Sequence, residues 1–166
     1  MKKNKFSKLS FLTLIFSFTF IQSCNQDKNY DLILDKYENV GLHCMSLIEI
    51  EGINILGGEP FSGNCVVYDL NSGTKLRMDT YLDGIREGIS IGFYPSGEKD
   101  YIGYRNKGEI SGEFIKFFQN GEISVKGRFK NGLYVGTFWY YNDQGKIIQK
   151  KRFTKEGILI ETKKYE

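Results

Sequence analysis

Glycine recurs in this chain at a fixed interval, and that interval restricts the fold more than any other feature of the sequence. Gly63, Gly88, Gly112 and Gly136 follow one another at steps of 25, 24 and 24 residues. Gly73, Gly97, Gly121 and Gly145 keep steps of 24, and Gly84, Gly108, Gly132 and Gly157 steps of 24, 24 and 25. Three glycine series in phase mark an internal repeat, whose copies must stack on one another to bury apolar surface. A glycine about every ten residues would weaken any helix laid across the region.

The residues between the glycines repeat as well. One leg reads Gly112-Glu-Phe-Ile-Lys-Phe-Phe-Gln-Asn-Gly121, and its successor reads Gly136-Thr-Phe-Trp-Tyr-Tyr-Asn-Asp-Gln-Gly145. Five residues after each opening glycine stands an aromatic: Tyr68, Phe93, Phe117 and Tyr141. A second column holds Tyr81, Arg105, Phe129 and Phe153, where Arg105 breaks the pattern and Tyr104 stands beside it as a substitute. Short aromatic and β-branched legs bounded by Asn, Asp, Ser and Gly read as strand–turn–strand. Asp83-Gly84, Asn120-Gly121 and Asn131-Gly132 are turn signals, because glycine accepts the positive φ that a tight hairpin needs.

The expected fold is therefore all-β: an antiparallel meander of about nine strands from Gly63 to Tyr165, one elongated, twisted layer. In one leg Ile123, Val125, Gly127 and Phe129 alternate with Ser124, Lys126, Arg128 and Lys130, which predicts one apolar face and one wet face. Phe114, Phe117, Phe129, Phe138, Tyr141 and Phe153 then serve the core. A single layer leaves part of its apolar face open, and open patches mark partner sites. Phe118, Trp139 and Tyr140 are the candidate contact residues, with the basic Lys150, Lys151 and Arg152 beside them.

The pattern Gly-x-Phe/Trp-x-x-Tyr/Phe, then Asn-Gly, then a polar strand and the next glycine, resembles the variant MORN repeat. Within it, the chain resembles the bacterial family often labelled an antitoxin component of toxin–antitoxin systems, and Pro60-Phe61-Ser62-Gly63 resembles the entry to its first repeat. The resemblance covers about residues 53–165. It departs at Cys65 and Ser90, which occupy aromatic positions of the first two units. The resemblance implies a repeat sheet acting as a scaffold or binding surface, or as an antitoxin or immunity-type neutraliser.

Residues 1–23 carry Lys2, Lys3, Lys5 and Lys8, no acid, and the uncharged apolar run Leu9 to Ile21. That run of 13 residues suits a signal peptide and is short for a membrane span. Ile21-Gln22-Ser23-Cys24 resembles the bacterial lipobox, with Gln22 departing from it. The resemblance implies cleavage before Cys24, acylation of Cys24, and a membrane-anchored lipoprotein of the bacterial cell envelope, with the outer membrane as the expected site. The competing readings are an ordinary signal cleaved nearby and an uncleaved anchor. The expected organisation is a signal at 1–23, a tether and irregular lead-in at 24–52, and the repeat domain at 53–166.

The formal charge of +3 belongs to the signal, since the rest of the chain holds 19 basic and 20 acidic residues. A nucleic-acid partner loses its support. The basic excess is confined to residues 116–166, with 11 basic and 5 acidic side chains, a candidate surface for an anionic lipid, glycan or protein. Unpaired strand edges allow self-association.

Chemistry has few carriers. The one histidine, His43, lies beside Cys44, the only neighbourhood that suits a thiol hydrolase. Glu49 and Glu51 would share a face if their segment were a strand, as an acid–base pair or as part of a wet surface. Cys44 and Cys65 either bridge, in an oxidising compartment, or fill two separate aromatic positions as buried thiols. No metal cluster, cofactor motif or phosphate-cradling loop is legible, and the expected function is a non-enzymatic interaction module.

Overall fold

The computed structural model describes residues 42–166; the expected signal helix, Cys24 and the tether lie outside the described residues. Ten strands form one sheet in the order β1-β5-β6-β7-β8-β9-β10-β11-β12-β13. They run β1 Leu42–His43, β5 Gly63–Tyr68, β6 Lys75–Leu82, β7 Ile85–Phe93, β8 Lys99–Asn106, β9 Glu109–Phe117, β10 Ile123–Lys130, β11 Leu133–Tyr141, β12 Ile147–Phe153 and β13 Leu159–Lys164. The nine strands β5–β13 are the expected antiparallel meander, and the sheet is open, with β13 at its far edge. A small second sheet joins β2 Ile48–Ile50, β3 Ile53–Leu56 and β4 Glu59–Pro60. Residue 53, the expected start of the repeats, is thus the second arm of a hairpin begun at Ile48.

The glycine series have three separate jobs. Asp83-Gly84, Lys107-Gly108 and Asn131-Gly132 close two-residue hairpins with both residues at positive φ, from 48° to 85°, the turn whose twist matches a right-handed strand pair. Gly97, Gly121 and Gly145 close the longer turns at the other end, each donating its N–H to the residue three back. The opening glycines Gly88, Gly112 and Gly136 sit at positive φ inside strands, where the register slips. They are β-bulges, which bend and twist the sheet once per unit. Units are also tied turn to strand: the N–H groups of Gly84, Gly108 and Gly132 donate to the carbonyls of Phe61, Arg86 and Ile110 at 2.8 Å.

Register arranges two rows of side chains, one per face. We call the side carrying Phe138 the ring face and its opposite the groove face. On the groove face, Val66, Met78, Ile91, Ile102 and Ile115 are directly paired from strand to strand and all are buried. On the ring face the corresponding row is Cys65, Asp79, Ser90, Gly103, Phe114 and Gly127.

From Phe114 onward the ring face becomes aromatic. Phe114 meets Phe129 edge-on at 5.3 Å, and Phe138 meets Phe129 at 5.4 Å and Phe153 at 5.7 Å. Such pairs contribute about 0.5–1.5 kcal/mol each beyond their buried area.

The division into one apolar and one wet face therefore needs correcting. It describes β10, but β5–β7 bury both faces: Cys65 and Val66, Met78 and Asp79, Ser90 and Ile91 are neighbours in sequence and all buried. The apolar core crosses the sheet. It is aliphatic on the groove face up to Ile115 and aromatic on the ring face from Phe114. The polar partners it leaves behind are buried at one end and open at the other.

Candidate functional site

The groove-face row continues past Ile115 as Lys126, Trp139, Lys150 and Lys163, each directly opposite the next. The aliphatic ridge of β5–β9 thus turns into a cationic strip with the indole of the chain's one tryptophan in its middle. The next row on the same face runs through Glu113, Arg128 and Val135, then Thr137, Arg152 and Glu161. Together these strands shape a depression of about 560 Å³ whose walls include Lys126, Arg128, Thr137, Trp139 and Tyr141. The bulge at Gly136 sets β11 out of step with β10, so Val135 rather than Thr137 lies opposite Arg128.

The two rows hold five cations, Lys126, Arg128, Lys150, Arg152 and Lys163, and two carboxylates, Glu113 and Glu161. Glu161 lies 3.3 Å from Lys150 Nζ and 3.2 Å from Arg152 Nε, and Glu113 lies 3.6 Å from Arg128 Nη2. These pairs are partly exposed and contribute little to stability. Their effect is positional: one carboxylate holds two basic heads side by side. The field over the strip is positive. Burial raises the Tyr141 hydroxyl above the ordinary phenol value, so it stays a neutral hydrogen-bond donor.

The pleat sorts the residues named from sequence. Trp139, Lys150 and Arg152 share the groove face. Tyr140 and Lys151 point to the ring face, where Lys151 Nζ lies 5.1 Å from the Tyr140 ring centroid. Phe118 stands in the turn after β9, its N–H donating to the Glu122 carbonyl. Six neighbours in sequence reasoning are therefore two surfaces and a turn. Lys126, Arg128 and Glu161 join the site only through register, although Lys126 and Arg128 already alternated out of the apolar pattern.

A second constellation is buried on the ring face. The Asp79 carboxylate accepts from Ser90 Oγ at 2.6 Å and from Arg77 Nε at 2.7 Å, with Arg105 Nε at 3.9 Å. Its members Ser90 and Arg105 are positions where the aromatic columns fail. Tyr104 does not replace Arg105 in its column, because it faces the groove side opposite Ile89. Cys65, opposite Asp79, is bonded to Cys44, and this link draws β1 onto β5 as a parallel pair.

With its sulfur in that bond, Cys44 presents no thiol to His43. The imidazole Nδ1 accepts the Met45 N–H at 3.1 Å, and its ring packs 5.2 Å from Tyr68. Glu49 lies on β2, while Glu51 lies in the following turn at φ 50°, so the two do not share a strand face.

No family model and no curated protein matches the chain. Among solved structures, a mutant of S. aureus TarM in complex with fondaparinux, alpha-GlcNAc-glycerol and UDP is similar at 12% identity and a TM-score of 0.30. That likeness covers 90% of this chain and 25% of the other, and it is too slight to bear on fold or function.

Proposed function

We propose that the chain is a lipid-anchored, non-enzymatic interaction module of the variant MORN type, held in the cell envelope through Cys24. The observation that carries this reading is the change in the groove-face row from buried aliphatics to Lys126, Trp139, Lys150 and Lys163. A stable sheet has no need of a part-exposed tryptophan beside Arg128 and Arg152, whereas a contact surface does: tryptophan and arginine are the anchors of interfaces, and the lysines around them add positive charge. The preceding strands supply a rigid support, and the acylated end supplies the location.

Mass spectrometry of the mature N-terminus, with photo-crosslinkers placed in turn at Arg128 and at Lys151, tests the reading. An acylated Cys24 and partner adducts from position 128 but not 151 support it. A mature end elsewhere, or adducts equal from both faces, overturns it.

A further inference from the structure

Resting on the reading of this face as a contact surface, we infer that the Trp139 groove takes an acidic polysaccharide. The ligand class follows from three features of the strip.

The first is charge. Five cations against two carboxylates attract a polyanion, and the two arginines offer forks that match a carboxylate or sulfate through paired N–H groups. The second is the indole. Trp139 is part-exposed between Lys126 and Lys150, so a flat, weakly polar surface lies among charges. A pyranose ring carries both matching parts, C–H faces to lie on the indole and acidic substituents at its rim to reach the cations. A polyglutamate chain matches the charge alone.

The third feature is the backbone. The depression is lined by β9, β10 and β11, interior strands already laddered on both sides. A peptide cannot add there as a strand, so recognition rests on side chains. Lys126, Trp139, Lys150 and Lys163 stand one per strand, about 4.8 Å apart. That is a spacing on which a chain of sugar rings can be read one ring at a time across Lys126, Trp139, Lys150 and Lys163. The groove also lies recessed between rows, which suits a narrow polymer better than a flat lipid surface.

Because Trp139 is the one tryptophan, its fluorescence reports the site directly in the purified full chain. Oligogalacturonate is the acidic probe. Dextran is its neutral counterpart, polyglutamate the peptide arm, and dihexanoyl phosphatidylglycerol below its micelle concentration the lipid arm. Saturable change with oligogalacturonate, weakening steeply as salt rises, supports the inference. So does a loss of at least tenfold in the double variant Arg128→Ala/Arg152→Ala with no loss in Lys151→Ala. Both variants change part-exposed side chains, and an unchanged urea midpoint verifies their folding. No change with oligogalacturonate at millimolar concentration overturns the inference, as does equal binding of dextran, polyglutamate or the soluble lipid. If position 128 still crosslinks a protein partner while the sugar fails, only the ligand class falls and the interaction reading stands.

Discussion

The ring of Phe138 lies over the bare backbone of Gly127 on the neighbouring strand. A Cβ built on Gly127 would clash with that ring, although the glycine is not at positive φ. The residue is required by space and not by conformation. Phe138, wholly buried, is the centre of the aromatic stack with Phe129, Tyr134 and Phe153.

Gly127→Ala is therefore expected to cost about 1–3 kcal/mol through overpacking. Gly121→Ala, at φ +86° with nothing near it, carries only the left-handed backbone penalty of about 1 kcal/mol. Urea titration separates the two causes. Phe138→Leu added to Gly127→Ala recovers part of the loss, and added to Gly121→Ala it recovers none.

Reducing the Cys44–Cys65 bond releases a loop with a sequence separation of 21. The loop-closure estimate is about 3 kcal/mol. The double Cys44→Ser/Cys65→Ser variant is expected to unfold at correspondingly lower urea, and reductant to lower the wild-type midpoint to meet it. Amide exchange is expected to accelerate first along β5, whose outer edge β1 covers.

Asp79→Asn keeps the shape at the buried carboxylate and removes its charge. Arg77 and Arg105 then face an uncharged group, with a loss of about 2 kcal/mol after allowing for their part exposure. Ser90→Ala is expected to cost about 1–2 kcal/mol, since the hydroxyl bonds a charged partner. A double-mutant cycle on Ser90 and Asp79 measures the coupling. A result near zero means that the two are not linked in solution.

Alkaline pH tests the tyrosines. Burial raises the hydroxyls of Tyr81, Tyr140 and Tyr141 above the ordinary value of 10.0, with Arg86 partly offsetting the effect at Tyr81. A folded value above the unfolded one means that the contribution to stability is complete below about pH 10 and is lost as pH rises through the folded values. Tyrosinate absorbance is expected to rise late for these side chains, and the urea midpoint to fall over the same interval. Early titration of all tyrosines would show that the burial is absent.

Much of this architecture was legible in the chain because its causes are local. A glycine two residues into a hairpin answers to φ alone, and the pair Asn131-Gly132 specifies its turn wherever it occurs. The period of 24 follows from the turns and strands between them, so strand number, order and antiparallel sense were readable from composition and spacing. The lead-in was less readable: an irregular segment is expected to run to residue 52, yet Ile48, Glu49 and Ile50 pair with Ile55, Asn54 and Ile53 in the small sheet.

The sequence by itself determined the repeat, its turns and the aromatic columns. The tertiary structure decided which faces those columns occupy. Side-chain direction alternates with period two, so a slip of one residue exchanges the faces. The slips at Gly88, Gly112 and Gly136 are of two residues and keep each face, while slips of one residue fall at the opposite ends of the strand pairs, at Tyr68, Phe93 and Tyr141. Only register therefore separates Trp139 from Tyr140 and Lys150 from Lys151. Register also gathers Ser90 and Arg105, two failures of the repeat, around Asp79, and it carries the buried row of Ile115 onward into Lys126 and Trp139.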